Sequence, residues 1–334
     1  MNEVKPRTRI IAIAAAGIVA LAVAIGAVVE AKAAGSAHQN TIVVVLKSTN
    51  PNMEFWKIVR AGIDVAAKEW GVQPQVVGPW LEKDIDDQIH IMASVIKQRP
   101  AAILLAASDY NALAPLARQA HAAGIKLVTI DSGINSSAPE SFIATDNVEA
   151  GRKAGRELGR IVPTGAKVAV VSHIQEVATA IDRERGFREA FAEANPRATI
   201  VGRFFAFNDY DIAYSITRRL LREYPDLAGI VALNEMTTRA ASSGVIDAGY
   251  GGRVQIVGFD SAVDEIKRLE DGTIEALVVQ KPFNMGYLGI RTLVALMHGK
   301  PVDKFIDTGS SLIRRDTMYT TENQKLLFPF MQTK

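Results

Sequence analysis

Short runs of apolar, β-branched residues alternate with longer stretches of helical periodicity from Thr41 onward. Residues 41–46 (TIVVVL) are apolar throughout and predict a fully buried strand. In residues 54–69 apolar side chains recur three or four positions apart, a spacing typical of an amphipathic helix, and the pattern ends at Gly71. Together the two segments predict a β-α unit.

This unit recurs along the chain. Further strands are predicted at 75–77, 101–106, 125–130, 141–144, 167–171, 199–205, 227–233, 254–257 and 274–279, with helical patterns such as 84–98 and 111–123 between them. Strands that are apolar throughout and separated by helices are typical of parallel sheets covered on both faces. The pattern therefore predicts an α/β fold and disfavours all-β and all-α folds.

The number of units indicates more than one sheet. About ten β-α units exceed what one open sheet comfortably holds, so we predict two doubly wound parallel-sheet lobes. A division near Thr145 and Asp146 is favoured because an apolar strand gives way there to a polar turn. From the pattern alone a (β/α)8 barrel stays open as an alternative, because it has the same alternation.

The N-terminal residues have the pattern of an export segment. Basic residues within positions 5–9 precede an uncharged apolar run at 10–29, and residues 31–33 (AKA) have the small-x-small form of a cleavage site. The run is longer than the ~7 to 15 residues usual for a signal peptide and close to the ~20 that span a bilayer. Residues 1–33 are therefore predicted to be either a signal peptide or a retained anchor helix, with the rest of the chain exported.

Composition and charge exclude several classes of function. The chain has 334 residues, a formal net charge of +2 and no cysteine, so disulfides, thiolate metal sites and a cysteine nucleophile are excluded. No basic cluster marks a nucleic-acid surface. Glycine-rich phosphate loops and paired histidine motifs are missing from the sequence as well, so we expect no cofactor, no metal and no enzymatic activity.

Polar residues follow most of the predicted strands at the end where parallel sheets bind ligands. The Ser, Asp and Asn residues of these pairs are also preferred helix N-caps, so the inference of a ligand site rests on the number of pairs. The seven pairs are Lys47-Ser48, Ser108-Asp109, Asp131-Ser132, Ser172-His173, Asn234-Glu235, Asp260-Ser261 and Gln280-Lys281. Their convergence predicts a polar cleft.

Two adjacent aromatic residues, Phe55 and Trp56, open the first predicted helix beside the end of the first strand. A flat ring there can stack on the C–H face of a sugar while the polar residues bind its hydroxyl groups. Neighbouring positions on a helix point in different directions, so we expect one ring in the core and the other in the cleft. The pattern predicts a monosaccharide or a closely related polyol as the ligand.

Several blocks of residues, taken in chain order, carry a resemblance to a known family. They are Phe55-Trp56, residues 128–131 (VTID), 145–147 (TDN), Ala150-Gly151, 183–187 (RERGF), 234–236 (NEM), 257–260 (VGFD) and Gln280. On these blocks the chain, from Thr41 to about Thr317, resembles the periplasmic sugar-binding proteins related to ribose-binding protein and the LacI-type repressor core.

The resemblance implies a type I periplasmic binding protein fold with three crossing segments that form a hinge. Residues 40–145 with 281–306 would form the N-terminal lobe, and residues 146–280 with 307–334 the C-terminal lobe. It also implies a monomer in the periplasm that delivers its ligand to an ABC transporter permease. A chemoreceptor or sensor kinase is the alternative partner. A repressor core and an enzyme are less favoured, because an export segment stands where a DNA-binding domain would be and no catalytic motif is present.

The resemblance also implies roles for individual residues. Asp131 of the first lobe would accept hydrogen bonds from sugar hydroxyl groups, and Arg183, Asn234 and Asp260 of the second lobe would bind the same ligand. Gln280 would lie near a crossing segment. Asp can accept two hydroxyl protons and Arg donates a planar pair, so vicinal hydroxyl groups suit these side chains.

Two further positions bear on the choice of sugar. Lys47 stands where arabinose-type relatives carry Lys, and Ser132 replaces the Arg of ribose binders, so ribose itself is a doubtful ligand. Asn208 falls where related proteins place an aromatic residue, although the neighbouring Phe207 could take that role. The choice between Phe207 and Asn208 stays open at this point.

Overall fold

The computed structural model describes residues 41–328, which form twelve strands and ten helices. The strands are β1 Ile42–Val45, β2 Gln75–Val77, β3 Ala102–Leu105, β4 Lys126–Ile130, β5 Ser141–Ala144, β6 Lys167–Ser172, β7 Thr199–Phe205, β8 Leu227–Ala232, β9 Gln255–Phe259, β10 Ala276–Gln280, β11 Phe305–Asp307 and β12 Ser310–Arg314. The helices are α1 Glu54–Trp70, α2 Ile85–Gln98, α3 Ala114–Ala122, α4 Asn147–Ile161, α5 Ala178–Ala194, α6 Tyr210–Glu223, α7 Glu235–Asp247, α8 Val263–Glu270, α9 Pro282–Met297 and α10 Thr321–Leu327. The predicted signal or anchor segment, residues 1–33, lies outside the described residues. None of the helices within 41–328 has both the length and the apolarity of a membrane span.

The strands form two separate six-stranded sheets. Their orders are β11-β5-β4-β3-β1-β2 and β12-β10-β9-β8-β6-β7. Neighbouring strands are parallel except β10 and β12, which are antiparallel. The predicted α/β fold with two parallel-sheet lobes is confirmed. The alternative of a single (β/α)8 barrel is wrong, because neither sheet closes on itself.

The two sheets share one strand order. Each strand from β1 to β5 has a counterpart five strands later in the chain, and β11 and β12 extend the two sheets at equivalent edges. The central strands β1 and β3 are buried along their whole length. Separate apolar clusters lie on the two faces of each sheet, which explains why these strands are apolar at every position.

The chain passes between the sheets three times. It leaves the first sheet after Ala144 and returns after Gln280, and it crosses again between Asp307 and Ser310. The predicted boundary between residues 306 and 307 falls inside β11, because Asp307 pairs with Ala144.

Two short strands, β11 and β12, had no predicted counterpart. Both are edge strands, and the burial pattern of β11 is exposed at two of its three positions. Edge strands of this kind lack the continuous apolar run that marks the inner strands. Between them, the Asp307 Oδ1 atom accepts the N–H groups of Asp146 at 2.9 Å and Gly309 at 2.7 Å, which joins two of the crossings.

Glycines bring one helix pair of each lobe into close contact. A Cβ atom at Gly151 of α4 would lie 2.1 Å from the carbonyl oxygen of Arg183 in α5, and one at Gly186 would lie 1.9 Å from a carbonyl oxygen of α4. In the other lobe a Cβ atom at Gly62 of α1 or at Gly286 of α9 would lie 2.0 or 2.1 Å from a carbonyl oxygen of the facing helix. Only glycine permits this spacing, and it sets the position of the helix that carries Arg183.

Candidate functional site

A cavity with about 360 Å³ of empty space, including its mouth, lies between the two lobes. Its lining residues come from both lobes and are Lys47, Met53, Phe55, Trp56, Glu82, Asp131, His173, Thr179, Arg183, Asn234, Glu235, Asp260 and Gln280.

The structure brings most of the predicted site residues together. Eight of them border the cavity: Lys47, Phe55, Trp56, Asp131, Arg183, Asn234, Asp260 and Gln280. Asn208 is not among the lining residues, but its Oδ1 accepts a hydrogen bond from Asn234 Nδ2 at 2.6 Å. Phe207 also lies off the cavity, with 52% of its surface exposed. Contact with a ligand stays a prediction for all nine.

A buried ion pair joins two strand ends of the first lobe. Lys47 follows β1 and Asp131 follows β4, and Lys47 Nζ lies 2.6 Å from Asp131 Oδ2 and 2.6 Å from Ser132 Oγ. Asp131 has a left-handed backbone, with φ of 61°, and its N–H donates to the carbonyl of Ile143 in β5. A non-glycine residue held in this region is strained, and such residues cluster at ligand sites.

Asp260 occupies the equivalent position of the second lobe. It follows β9, has a φ of 76°, and its N–H donates to the carbonyl of Val278 in β10. Its Oδ1 accepts from Gln280 Nε2 at 2.7 Å, and its Oδ2 accepts the N–H of Glu235 at 3.0 Å. Burial raises the pKa of Asp260, against the opposing effect of Arg183.

Arg183 of α5 is 2% exposed and is held from three sides. Its Nε donates to Asn147 Oδ1 and its Nη1 to the carbonyl of Leu233, both at 2.8 Å, while the guanidinium lies 4.6 Å from the ring centre of Phe259. Burial lowers the pKa of Arg183 against the opposing charges of the nearby acids. These two bonds use two of the five N–H donors of a guanidinium, so others are available to a ligand.

The two aromatic rings lie together at one edge of the cavity. Phe55 and Trp56 meet edge to face, with ring centres 5.0 Å apart, and the Trp56 indole N–H donates to Glu82 Oε1. Trp56 is the ring that packs in the core, as expected, and it also borders the cavity together with Phe55. The reason is that α1 begins at Glu54, so its first turn opens beside the cavity.

Five lining residues were not predicted as site residues: Met53, Glu82, His173, Thr179 and Glu235. His173 and Glu235 stood in the strand-end pairs, so their position was a usable signal. Met53 and Glu82 lie on the loops that precede α1 and α2. Thr179 lies in the first turn of α5 and shares a hydrogen bond of 3.1 Å with His173 Nε2.

Burial changes the protonation of several lining groups. It lowers the pKa of His173 well below its ordinary value, so this ring is neutral. It raises the pKa of Glu82, and together with the charge of Asp260 it raises the pKa of Glu235 to about 7. The lining therefore carries less net charge than its residue types suggest.

Three lining residues hold buried polar atoms without a hydrogen-bond partner among the described residues. The atoms are His173 Nδ1, Glu235 Oε1 and Gln280 Oε1. Each such group costs roughly 1 to 3 kcal/mol when nothing satisfies it. Hydroxyl groups can both donate and accept hydrogen bonds, so the arrangement suits a small molecule with several hydroxyl groups.

The lobes are in direct contact around the cavity. Three hydrogen bonds between them are those from the Phe55 N–H to Glu235 Oε2 at 3.1 Å, from Lys83 Nζ to Asp209 Oδ2 at 3.0 Å and from the Tyr110 N–H to the Glu176 carbonyl at 2.9 Å. The lobes are therefore closed over the cavity in this structure.

Comparisons with known proteins agree on one family. A family model described as periplasmic binding protein domain matches residues 42–301. The ribose import binding protein of Bacillus subtilis is 26% identical over 83% of this chain and 88% of its own length. The D-allose-binding periplasmic protein of Escherichia coli is 30% identical over 78% of this chain and 86% of its own length.

Solved structures with bound sugars have the same fold. A carbohydrate transporter solute binding protein from Agrobacterium radiobacter, in complex with D-arabinose, is 28% identical with a TM-score of 0.82, covering 86% of this chain and 99% of its own. An ABC transporter solute binding protein from Agrobacterium vitis with bound D-fucose is 32% identical with a TM-score of 0.81 over the same shares.

Proposed function

The chain belongs to the periplasmic binding protein domain family, and from that premise we propose that it captures a monosaccharide or a closely related polyol between its lobes and delivers it to the permease of an ABC transporter. The observation that carries the proposal is the closed cavity, which both lobes line with buried polar side chains and an aromatic pair. Its curated relatives include ribose and allose binders, and its structural relatives hold D-arabinose and D-fucose.

The charge balance of the cavity supports a neutral ligand. Lys47 and Arg183 are opposed by Asp131 and Asp260, while burial raises the pKa of the other two acids of the lining, Glu82 and Glu235, and so favours their neutral forms. Carboxylates accept hydroxyl protons and a guanidinium donates in a planar pair, so vicinal hydroxyl groups satisfy both kinds of side chain. A ligand with a full charge would leave one set of these groups unpaired.

Residues of the first lobe bear on which sugar binds. Lys47 forms an ion pair with Asp131 and donates a hydrogen bond to the hydroxyl group of Ser132. Ser132 stands at the position that carries Arg in ribose binders. We therefore propose that another aldose binds more tightly than D-ribose.

We further propose that the two lobes move about the three crossing segments, after Ala144, after Gln280 and between Asp307 and Ser310, when the cleft opens. The protein would act as a monomer in the periplasm, exported by residues 1–33, without a cofactor and without changing its ligand chemically. A chemoreceptor or sensor kinase could bind the same closed form in place of the permease.

The test is a binding screen of the purified chain. Thermal shift and titration calorimetry should show saturable binding of at least one of D-ribose, D-allose, D-arabinose and D-fucose, and none of amino acids or inorganic anions. Saturable binding of an amino acid or an anion, with no response to any sugar of a wider panel of pentoses, hexoses and polyols, would contradict the proposal.

A further inference from the structure

The side chain of Glu235 reaches across the cleft from one lobe to the other. Glu235 is the first residue of α7 in the second lobe, and its Oε2 accepts the N–H of Phe55 at 3.1 Å. Phe55 lies in the first turn of α1, where N–H groups have no acceptor within the helix. Met53, which precedes this helix, provides no side-chain cap. The N-terminus of α1 is thus capped by a residue of the opposite lobe.

The second carboxyl oxygen of Glu235 has a different environment. Oε1 is buried and has no hydrogen-bond partner among the described residues. Arg239 Nη1 lies 3.5 Å from it, but the guanidinium is also engaged by Asp264, which accepts from Arg239 Nε at 2.8 Å. An ionised carboxylate is costly to bury when one oxygen receives no hydrogen bond.

The charged groups that face Glu235 are mostly acidic. Asp260 and Glu265 approach from its own lobe and Glu82 from the opposite lobe, whereas Arg239 is the base among these groups. Burial first, and then the charge of Asp260, raise the pKa of Glu235 to about 7, and these effects outweigh the N–H bond from Phe55. When the lobes separate, both Phe55 and Glu82 leave, and water reaches the carboxyl group.

We propose that Glu235 is a positioning residue that couples closure of the cleft to the uptake of one proton. With the lobes apart the carboxylate is ionised and hydrated, and on closure Oε2 caps α1 while Oε1 receives a proton from solvent. The protonated Oε1 can then donate a hydrogen bond to a hydroxyl oxygen of the ligand. This inference rests on the proposed function, because closure is the step in which the sugar is captured.

The sign of the pH effect follows from the raised pKa. Closure favours the protonated form, so sugar affinity is highest below the ordinary pKa of 4.5 and falls as the pH rises through about 7. Between pH 8 and pH 6 the dissociation constant should fall about tenfold, and binding at pH 6 should take up close to one proton.

Titration calorimetry of the full chain directly measures the number of protons taken up when the sugar binds. The probe is the tightest binder among D-ribose, D-allose, D-arabinose and D-fucose, titrated at pH 6 in two buffers of different ionisation enthalpy. Proton uptake is expected near one in the natural chain and near zero in Glu235→Gln, whose amide oxygen can still accept from Phe55. The matched control is Glu265→Gln, because Glu265 is fully buried but accepts from Ala262 of its own lobe, so it should keep the uptake.

Each outcome decides one question. Sugar binding without proton uptake in the natural chain, or with uptake that persists in Glu235→Gln, would overturn this inference and leave the proposed function standing. The absence of saturable binding of every sugar in the natural chain would overturn the proposed function and the inference with it.

Discussion

Two arginines in the 183–187 segment of α5 differ sharply in their surroundings. Arg183 is buried against the cavity, whereas Arg185 is exposed and pairs with Asp182 at 2.9 Å. We expect Arg183→Ala to weaken sugar binding by ~1 to 3 kcal/mol or more, since buried polar groups lose their partner. Arg185→Ala should change affinity little. Calorimetry on both variants checks this, and the reverse order of effects would contradict the assignment.

The Lys47 and Asp131 pair should also matter for stability. Their side chains are 4% and 5% exposed, so Lys47→Met leaves an uncompensated buried carboxylate. We expect the free energy of unfolding to fall by ~3 to 5 kcal/mol in a denaturant titration without sugar. Lys167→Met, which breaks an exposed pair with Asp226 at 2.8 Å, is the control and should cost at most about 1 kcal/mol. Equal losses in the free energy of unfolding would show that the buried pair contributes no more to stability than the exposed pair.

The site residues differ in how well a sequence predicts them. Lys47, Asp131 and Asp260 directly follow apolar strands, and parallel sheets bring such strand ends to one edge. Glu82 follows no strand, and it reaches the cavity because the loop before α2 folds against Trp56. Loops carry no periodic signal, so nothing in the sequence distinguishes Glu82 from a surface acid. Asn208 shows the converse, a residue placed by family resemblance that supports Asn234 from outside the cavity.

At the level of elements, the close contact of α4 and α5 depends on Gly186. Gly186→Ala places a Cβ atom 1.9 Å from the Val148 carbonyl oxygen, so the helices must separate and carry Arg183 with them. We expect a loss of ~1 to 3 kcal/mol in the free energy of unfolding, together with weaker sugar binding. Gly251→Ala is the control, because open space surrounds that position. Unfolding titrations and calorimetry test both variants, and an unchanged affinity in Gly186→Ala would contradict the positioning role.

The contact between α4 and β12 gives stability a dependence on acid. Burial alone would raise the pKa of Glu157, but hydrogen bonds from Arg314 and Arg160 prevail and lower it to about 2. The resulting stability, up to ~3 kcal/mol, is present above the ordinary pKa of 4.5 and is lost as the pH falls toward 2. Unfolding titrations between pH 5 and pH 2, at roughly half-unit steps, should show a shallower decline in Glu157→Gln. The same decline in both proteins would assign it to other carboxyl groups.

The strands β1 to β10 were predictable from apolar runs, and the edge strands β11 and β12 were not. All ten strands from β1 to β10 coincide with predicted apolar runs, and eight of them are inner strands whose residues are mostly buried and apolar. The edge strand β12 is only partly buried at four of its five positions, so its sequence reads as a loop. The split into two sheets is set by long-range pairing, and a periodic pattern carries no information on pairing.

At the scale of the whole molecule, a ligand that touches both lobes should shift the population toward the closed form. We expect solution scattering to give a lower radius of gyration with a saturating sugar than without it. An amino acid from the same screen serves as the control and should leave the curve unchanged. Identical curves with and without a bound sugar would indicate a rigid site and contradict hinge closure.

The burial of the lining side chains also affects how long a ligand stays bound. With the lobes in contact, Trp56, Asp131 and Arg183 are each under 5% exposed. A bound molecule can therefore depart only after the two lobes separate. Its residence time is then bounded below by the waiting time for opening, and hinge motions of this type take microseconds to milliseconds. A partner that pulls the two lobes apart would shorten the time before opening without competing for any ligand contact in the cavity. Delivery would therefore be governed by the rate at which the partner opens the protein, and two sugars of unequal affinity could be released at the same pace.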